Sequence, residues 1–186
     1  SFLSTVLARK MGPARLMAAG MVVAVLGFLL LATVGSNTSL AIVVTACVMY
    51  SLGLAPMFTL TTDMIVGAAP PERAGAAAAL SETGSELGGA LGIALLGSIG
   101  TAAYRSALAR SMPGGVPAAV GRIARGTVGA AIDVAKDLPS AAAARLVQAA
   151  QSAFCHSLSI TALSAAGVLI IAAIAITPRL GAVRPT

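Results

Sequence analysis

Long apolar stretches with almost no charged residues alternate with short polar connections along this chain of 186 residues. A helix rises about 1.5 Å per residue, so about 20 apolar residues cross the roughly 30 Å hydrocarbon core of a bilayer. Four stretches approach or exceed that length. We therefore predict an all-α integral membrane protein, divided into the end of a preceding helix and a cytoplasmic loop (1–15), transmembrane helices at 16–34, 39–66, 72–104 (with a cytoplasmic extension) and 153–177, a long extracytoplasmic loop (105–152) and a cytoplasmic tail (178–186).

The connections between the predicted transmembrane helices at 16–34, 39–66 and 72–104 are short. Residues 35–38 form a polar turn that suits only antiparallel neighbours. At the start of the chain, residues 1–7 resemble the tail of an earlier helix, which favours a piece of a longer protein. A removed initiator methionine would explain the missing Met equally well.

The segment 105–152 carries half of the 12 basic residues and cannot span a membrane. Apolar residues recur at helical spacing from Val120 to Ala135, opposite charged residues, and predict one amphipathic helix that ends by Pro139. A second amphipathic helix is predicted at 141–150. We expect these helices to cap the membrane helices in water; the alternative is that they lie flat on the lipid surface.

Composition agrees with the apolar pattern, because 58% of the residues are apolar, 10% are charged, and the mean hydropathy is +0.94. The net charge of +6 does not indicate nucleic acid, since the basic residues are scattered and only 3% of the chain is aromatic. Lipid headgroups are the expected partner. Counts of Lys and Arg on the two sides are equal, but short loops weigh more than long ones, which favours a plasma-membrane protein with both termini in the cytoplasm.

No catalytic, metal or cofactor site is predicted. Cys47 and Cys155 belong to no CxxC or His-rich cluster and suit small buried positions. His156 has no second ligand in view. The chain lacks HExxH, GxSxG and a phosphate-binding loop, so we do not expect an enzyme.

Two glutamates stand at the head of the third apolar stretch, in SETGSELGGALG. At about 100° per residue, Glu82 and Glu86 lie about 40° apart on a helix and share one side with Gly89, Ile93 and Gly97. A separate stripe of glycines, about 140° away, would let a neighbouring backbone approach closely for helix packing; it consists of Gly84, Gly88 and Gly92.

Acids this close to an apolar helix suggest proton chemistry. An ionised side chain at mid-membrane costs on the order of 2.5–3.5 kcal/mol, so it must face water, find a partner or take up a proton. Glu82 and Glu86 are therefore candidates for proton coupling and cation binding. The alternative is that both are surface residues at the start of the membrane helix and have no role in transport. Asp63, which closes the second predicted span, is either an interface residue or a partner of Arg73 or of a basic residue in the first loop.

Residues 54–105, with LAPMFTLTTDMIVGAAPPERAGAAAALSETGSELGG at their start, resemble the penultimate region of major facilitator transporters. The resemblance is to the 14-helix drug:proton antiporters of the quaternary-ammonium and methyl-viologen resistance type. LARKMGPARLM at residues 7–17 is similar to the second copy of the superfamily's cytoplasmic loop motif and keeps Arg9, Gly12 and Arg15. Ala8 stands where the full motif carries an acid.

The resemblance implies helices eleven to fourteen of such a transporter, with a remnant of helix ten and a large external loop before the last helix. It implies roles in cation recognition and proton coupling for Glu82, Glu86 and, by extension, Asp63. Protons, lipophilic cationic drugs, the lipid bilayer and the remaining transporter helices are the implied partners. The alternatives are a small four-helix multidrug pump that dimerises, and a membrane subunit or intramembrane enzyme without transport activity.

Overall fold

The computed structural model describes the backbone of residues 13–180 and the side chains of residues 15–175. Every regular element in the described part of the chain is helical, which confirms the all-α prediction. The six α-helices are α1 (Pro13–Ala32), α2 (Leu40–Gly67), α3 (Ala74–Arg110), α4 (Ala118–Ala124), α5 (Val128–Ala135) and α6 (Ser140–Leu180), and a 3₁₀ turn (Pro71–Arg73) precedes α3.

Four of these helices are long and apolar enough to cross a membrane, in agreement with the prediction; the candidate spans are Arg15–Ala32, Leu40–Gly67, Pro71–Arg110 and Ser140–Ala175. Two of them differ from the predicted segments. α3 continues to Arg110, and α6 begins at Ser140, so that no helix end marks the predicted boundary between residues 152 and 153. The polar residues from Ser140 to Ser152 lower the hydropathy but do not end the helix, because six of these 13 residues are alanines, which favour helix.

Helices α1 and α2 form an antiparallel pair held close by glycines. A Cβ added to Gly53 would lie 2.5 Å from the backbone oxygen of Gly20 and 2.5 Å from the backbone nitrogen of Ala24. A Cβ on Gly27 would lie 2.6 Å from the backbone nitrogen of Tyr50. Since no side chain separates the two backbones at these points, the helices touch along a seam of small residues.

Helix α6 lies between α1 and α3. The Ser159 hydroxyl donates a hydrogen bond of 2.7 Å to the carbonyl oxygen of Ala32, at the end of α1. On the other side, a Cβ added to Gly100 of α3 would lie 2.8 Å from Oγ1 of Thr161. Both contacts lie near the same end of the bundle, which we call the cap end because the segment between α3 and α6 is placed there.

The segment between α3 and α6 is a helical cap with its own core, built from the last turns of α3, from α4 and α5, and from the first turns of α6. The Tyr104 hydroxyl donates a hydrogen bond of 3.0 Å to the carbonyl oxygen of Ala124 inside this core. The other members of the core are buried apolar residues: Leu108, Ala131, Ala135, Leu146, Ala150 and Ala153. Ala124, Ala131 and Ala135 of the predicted apolar face are buried in this core, whereas Ile123 and Ile132 are 54% and 41% exposed, so α4 and α5 pack against α3 and α6 through their small apolar residues.

The predicted single helix from Val120 to Ala135 is wrong in one respect. The helix is interrupted at residues 125–127. Thr127 caps the start of α5, because its side chain accepts a hydrogen bond of 3.1 Å from the backbone N–H of Ala130. This side-chain cap competes with continuation of α4, and Gly126 just before it disfavours helix. On the solvent side of α5, Lys136 donates a 2.6 Å hydrogen bond to Asp133, which holds the pKa of that carboxyl below its usual range.

Candidate cation and proton site

The two glutamates lie in the first half of α3, on its exposed side. The helix forms here because AGAAAAL is composed almost wholly of strong helix formers and follows a proline-led 3₁₀ turn. Glu82 and Glu86 are both exposed. Neither has an ion-pair or hydrogen-bond partner among the side chains of residues 15–175.

The glutamates share their face of α3 with the wall of a cleft. This cleft of about 710 Å³ lies between α3 and α6 and ends against the junction of α4 and α5. Gly89, Ile93 and Gly97, which the sequence placed on the glutamate side of the helix, all line it. Glu86 precedes Gly89 by three residues, about 4.5 Å along the helix. Neither acid lines the cleft itself; both lie on the same face of α3, beyond the end of the cleft away from the cap.

The cleft exists because α3 and α6 meet at the cap end and separate below it. Gly100 contacts Thr161, whereas a Cβ on Gly97, Gly92 or Gly89 would have nothing within 4 Å. The glycines leave the wall of α3 flat, and the lining is largely apolar. The space is of the size that takes a small organic molecule.

Helix α2 approaches α3 at the level of the acids. Oγ1 of Thr62 lies 3.5 Å from Oγ of Ser81, which joins the two helices next to Asp63 and Glu82. Asp63 is exposed, and no ion pair joins it to Arg73 or to Arg15. The pairing considered for Asp63 is thus not formed between described side chains. The arrangement instead brings Asp63 and Glu82 to one level of the bundle, with Glu86 one helical turn further along α3.

The predicted packing stripe has no partner within the described part of this chain. A Cβ on Gly84, Gly88 or Gly92 would meet nothing within 4 Å. The glycines that do hold helices together are Gly20, Gly27, Gly53 and Gly100, which sequence reasoning missed. A sequence pattern could have identified Gly20 and Gly27, because these two glycines and Ala24 are spaced four and three residues apart, on one face of a helix.

The other candidate residues are not brought to this site. Arg9 and Gly12 of the loop motif lie outside the described residues, and Arg15 is exposed in the first turns of α1. His156 is exposed, and no group of three or more metal-ligating side chains occurs between residues 13 and 180. The aromatic rings of Phe28 and Tyr50 stack on each other at 4.9 Å between centroids.

Three drug-resistance proteins are similar to this chain. It is 37% identical over 169 residues to the multidrug efflux pump LfrA of Mycolicibacterium smegmatis, an alignment that covers 91% of this chain and 33% of that pump. It is 32% identical over 114 residues to the methyl viologen resistance protein SmvA of Salmonella typhimurium, with 61% of this chain and 23% of that protein covered. It is also 34% identical over 94 residues to the tetracenomycin C resistance and export protein of Streptomyces glaucescens, with 50% and 18% covered.

These relatives are drug efflux pumps of the major facilitator type, which confirms the resemblance of the chain to that superfamily. The chain spans about a third of the length of LfrA, the relative with the longest alignment of the three. No family model and no solved structure matches the chain. The alignment with LfrA covers 91% of the chain, so the similarity extends beyond residues 54–105, on which the resemblance was first noted.

Proposed function

We propose that this chain forms the C-terminal helices of a proton-coupled multidrug efflux antiporter that exports lipophilic cations. The observation that carries the proposal is the position of Glu82 and Glu86 at the open end of an apolar cleft between α3 and α6. The similarity to proteins named for multidrug efflux and for methyl viologen resistance supports drug export. The chain alone is inactive, because an alternating-access site lies between two repeats and this chain supplies part of one.

A proton and an organic cation compete for the same two carboxyls. A carboxylate that loses bulk water when the remaining helices cover α3 is stabilised either by a proton or by a bound organic cation. Because Glu82 and Glu86 are one helical turn apart on the same side of α3, one bound cation can contact both carboxyls. Arrival of a cation displaces a proton, and one proton that moves through 100 mV releases about 2.3 kcal/mol for the exchange.

For this function, the protein lies in the plasma membrane with both termini in the cytoplasm. Asp63 and the glutamates then lie toward the cytoplasmic side, and the cap lies outside. The residues of the loop motif, Arg9, Gly12 and Arg15, then lie toward the cytoplasmic side as well. The stripe of Gly84, Gly88 and Gly92 is the docking face for one of the transporter's other helices, since close approach is open along it, and Gly92 borders the cleft as well.

The test is a resistance assay on a full-length transporter that contains this segment. The double variant Glu82→Gln and Glu86→Gln keeps the size and polarity of both side chains and removes their charge. We expect it to abolish or narrow resistance to quaternary ammonium compounds at unchanged expression. Glu72→Gln is the matched control, because Glu72 is exposed in the 3₁₀ turn outside the cleft face. Full resistance in the double variant would reject the assigned role.

A further inference from the structure

The side of α3 that carries the two glutamates is the side that faces α6 at the cap end. Gly100 marks the point where α3 meets α6, through Thr161. Glu82 precedes Gly100 by 18 residues, and Glu86 precedes Tyr104, which lines the cleft, by the same number. At about 3.6 residues per turn, 18 residues make about five full turns. Each glutamate therefore points to the same side of α3 as the cleft wall, and acids and wall form one strip along the helix.

The inside of the cleft suits the apolar part of a ligand. No charged side chain lines it in the described part of the chain. The hydroxyls of Tyr104, Ser157 and Thr161 already donate hydrogen bonds to backbone carbonyl oxygens. A charged group inside the cleft would lose its water without gaining a partner of opposite charge, whereas an alkyl group is favoured there. A cation can thus place only its apolar part in the cleft.

The two ends of the cleft give such a cation one orientation. Glu86 lies one helical turn beyond Gly89, at the end away from the cap. At the other end the cleft closes against residues 126–128, at the junction of α4 and α5. A charged head at the glutamates therefore directs the tail toward the cap. The wall of α3 from Gly89 to Tyr104 offers that tail a length of about 22 Å.

Another helix of the transporter fits the cleft less well than a small molecule does. The stripe of Gly84, Gly88 and Gly92 lies about 140° away around α3, so a helix that packs on this stripe leaves the centre of the cleft wall open. A membrane-spanning helix in the cleft itself would run into the junction of α4 and α5. The volume of about 710 Å³ is within the range of small-molecule sites.

Resting on the proposed function, we propose that the cleft holds the apolar tail of the exported cation, with its charged head at Glu82 and Glu86 and its tail toward the cap. The compounds that fit are cations with one charged head and one alkyl tail. Gly89 and Gly97 select among them, because both line the cleft, a Cβ on either meets nothing within 4 Å, and a larger side chain would occupy the space of the tail. Each methylene that enters the cleft strengthens binding by about fourfold, until the tail reaches the cap.

The test follows protection of an introduced thiol in a full-length transporter that contains this segment. Cys47 and Cys155 are replaced by serine, together with any cysteine in the rest of the transporter. Gly89→Cys places the reporter in the cleft. Gly75→Cys is the control, because Gly75 is equally open but lies outside the cleft. Labelling by a maleimide is measured while alkyltrimethylammonium ions of increasing chain length are added.

We expect the concentration that half-protects Gly89→Cys to fall about fourfold per methylene and then to level off, with no protection at Gly75→Cys. Gly97→Leu should move the levelling point to a shorter chain, and Gly97→Ala should move it less. Gly75→Leu should not move it. Partition into the bilayer also grows with chain length but is the same in every variant, so the shift reports the cleft. The Glu82→Gln and Glu86→Gln double variant should weaken protection by the whole series.

Two results would overturn the inference. Absence of labelling at Gly89→Cys before any compound is added would mean that protein fills the cleft. An unchanged levelling point in Gly97→Leu, at unchanged expression and melting temperature, would place the tail elsewhere; if Gly97→Leu does not reach the membrane, Gly97→Ala decides. Either result leaves the proton-coupling role intact if the glutamine double variant loses resistance. Full resistance in that variant, with a shifted levelling point in Gly97→Leu, would reject the coupling role and retain the tail site.

Discussion

The seam between α1 and α2 predicts opposite effects for chemically identical glycine substitutions. Gly53→Ala adds a methyl group 2.5 Å from two backbone atoms of α1, the oxygen of Gly20 and the nitrogen of Ala24. Gly75→Ala adds the same methyl group in the first turn of α3, where nothing lies within 4 Å. Both positions are helical, so both substitutions gain the same helix propensity.

The magnitude follows from the distances. Carbon contacts are comfortable at about 3.5–4.0 Å, so the methyl group on Gly53 requires the helices to separate by about 1 Å. Backbone atoms cannot rotate away as a flexible side chain would, and such overpacking costs about 1–3 kcal/mol. At Gly75 only the propensity gain of about 0.5–1 kcal/mol remains. The gain cancels in the comparison, which leaves a difference in unfolding free energy of about 1–3 kcal/mol.

The chain supplies its own probe for the measurement. Cys47 is half-buried and follows Ala46, which is fully buried in the seam. In a Cys155→Ser background, a thiol-reactive fluorophore reports the opening of this seam as the detergent-solubilised protein is heated. At about 2–4 °C per kcal/mol for a chain of this size, we expect Gly53→Ala to melt about 2–12 °C below Gly75→Ala. Equal melting temperatures would refute the close backbone contact.

Two further predictions concern single hydrogen bonds. Tyr104→Phe removes the bond to Ala124 inside the cap core and should cost about 1–2 kcal/mol, seen as faster amide hydrogen exchange in α4 with no change in α2. Ser159→Ala removes the hydrogen bond from α6 to Ala32 and should lower the free energy of unfolding by about 0.6 kcal/mol in the same melting assay. Ser164→Ala is the control, because it loses only a hydrogen bond within its own helix and should have less effect.

The number of long helices could be predicted from the sequence because span length and hydropathy are set by the bilayer, independently of neighbours. The faces of α3 could be predicted as well, since helical spacing alone groups Glu82 with Gly89 and Ile93, and the latter two line the cleft. These properties depend on local repeats and need no knowledge of what lies beside the helix.

Contacts between helices were harder to predict. Gly84, Gly88 and Gly92 have the cleaner small-residue spacing, yet they meet nothing in the described chain, while Gly53 stands alone in α2 and lies against α1. A small residue permits close approach but does not say which helix approaches. The break at residues 125–127 was missed because the helical spacing of apolar residues continues across it, although Thr127 caps a new helix there.

The central claim is that Glu82 and Glu86 exchange a proton for a cation, and proton movement tests it most directly. A full-length transporter that contains this segment is reconstituted into vesicles with a pH-sensitive dye inside, and a quaternary ammonium compound is added. We predict a proton flux coupled to the compound that disappears in the Glu82→Gln and Glu86→Gln double variant and persists in Glu72→Gln. Undiminished coupled flux in the double variant would contradict the account.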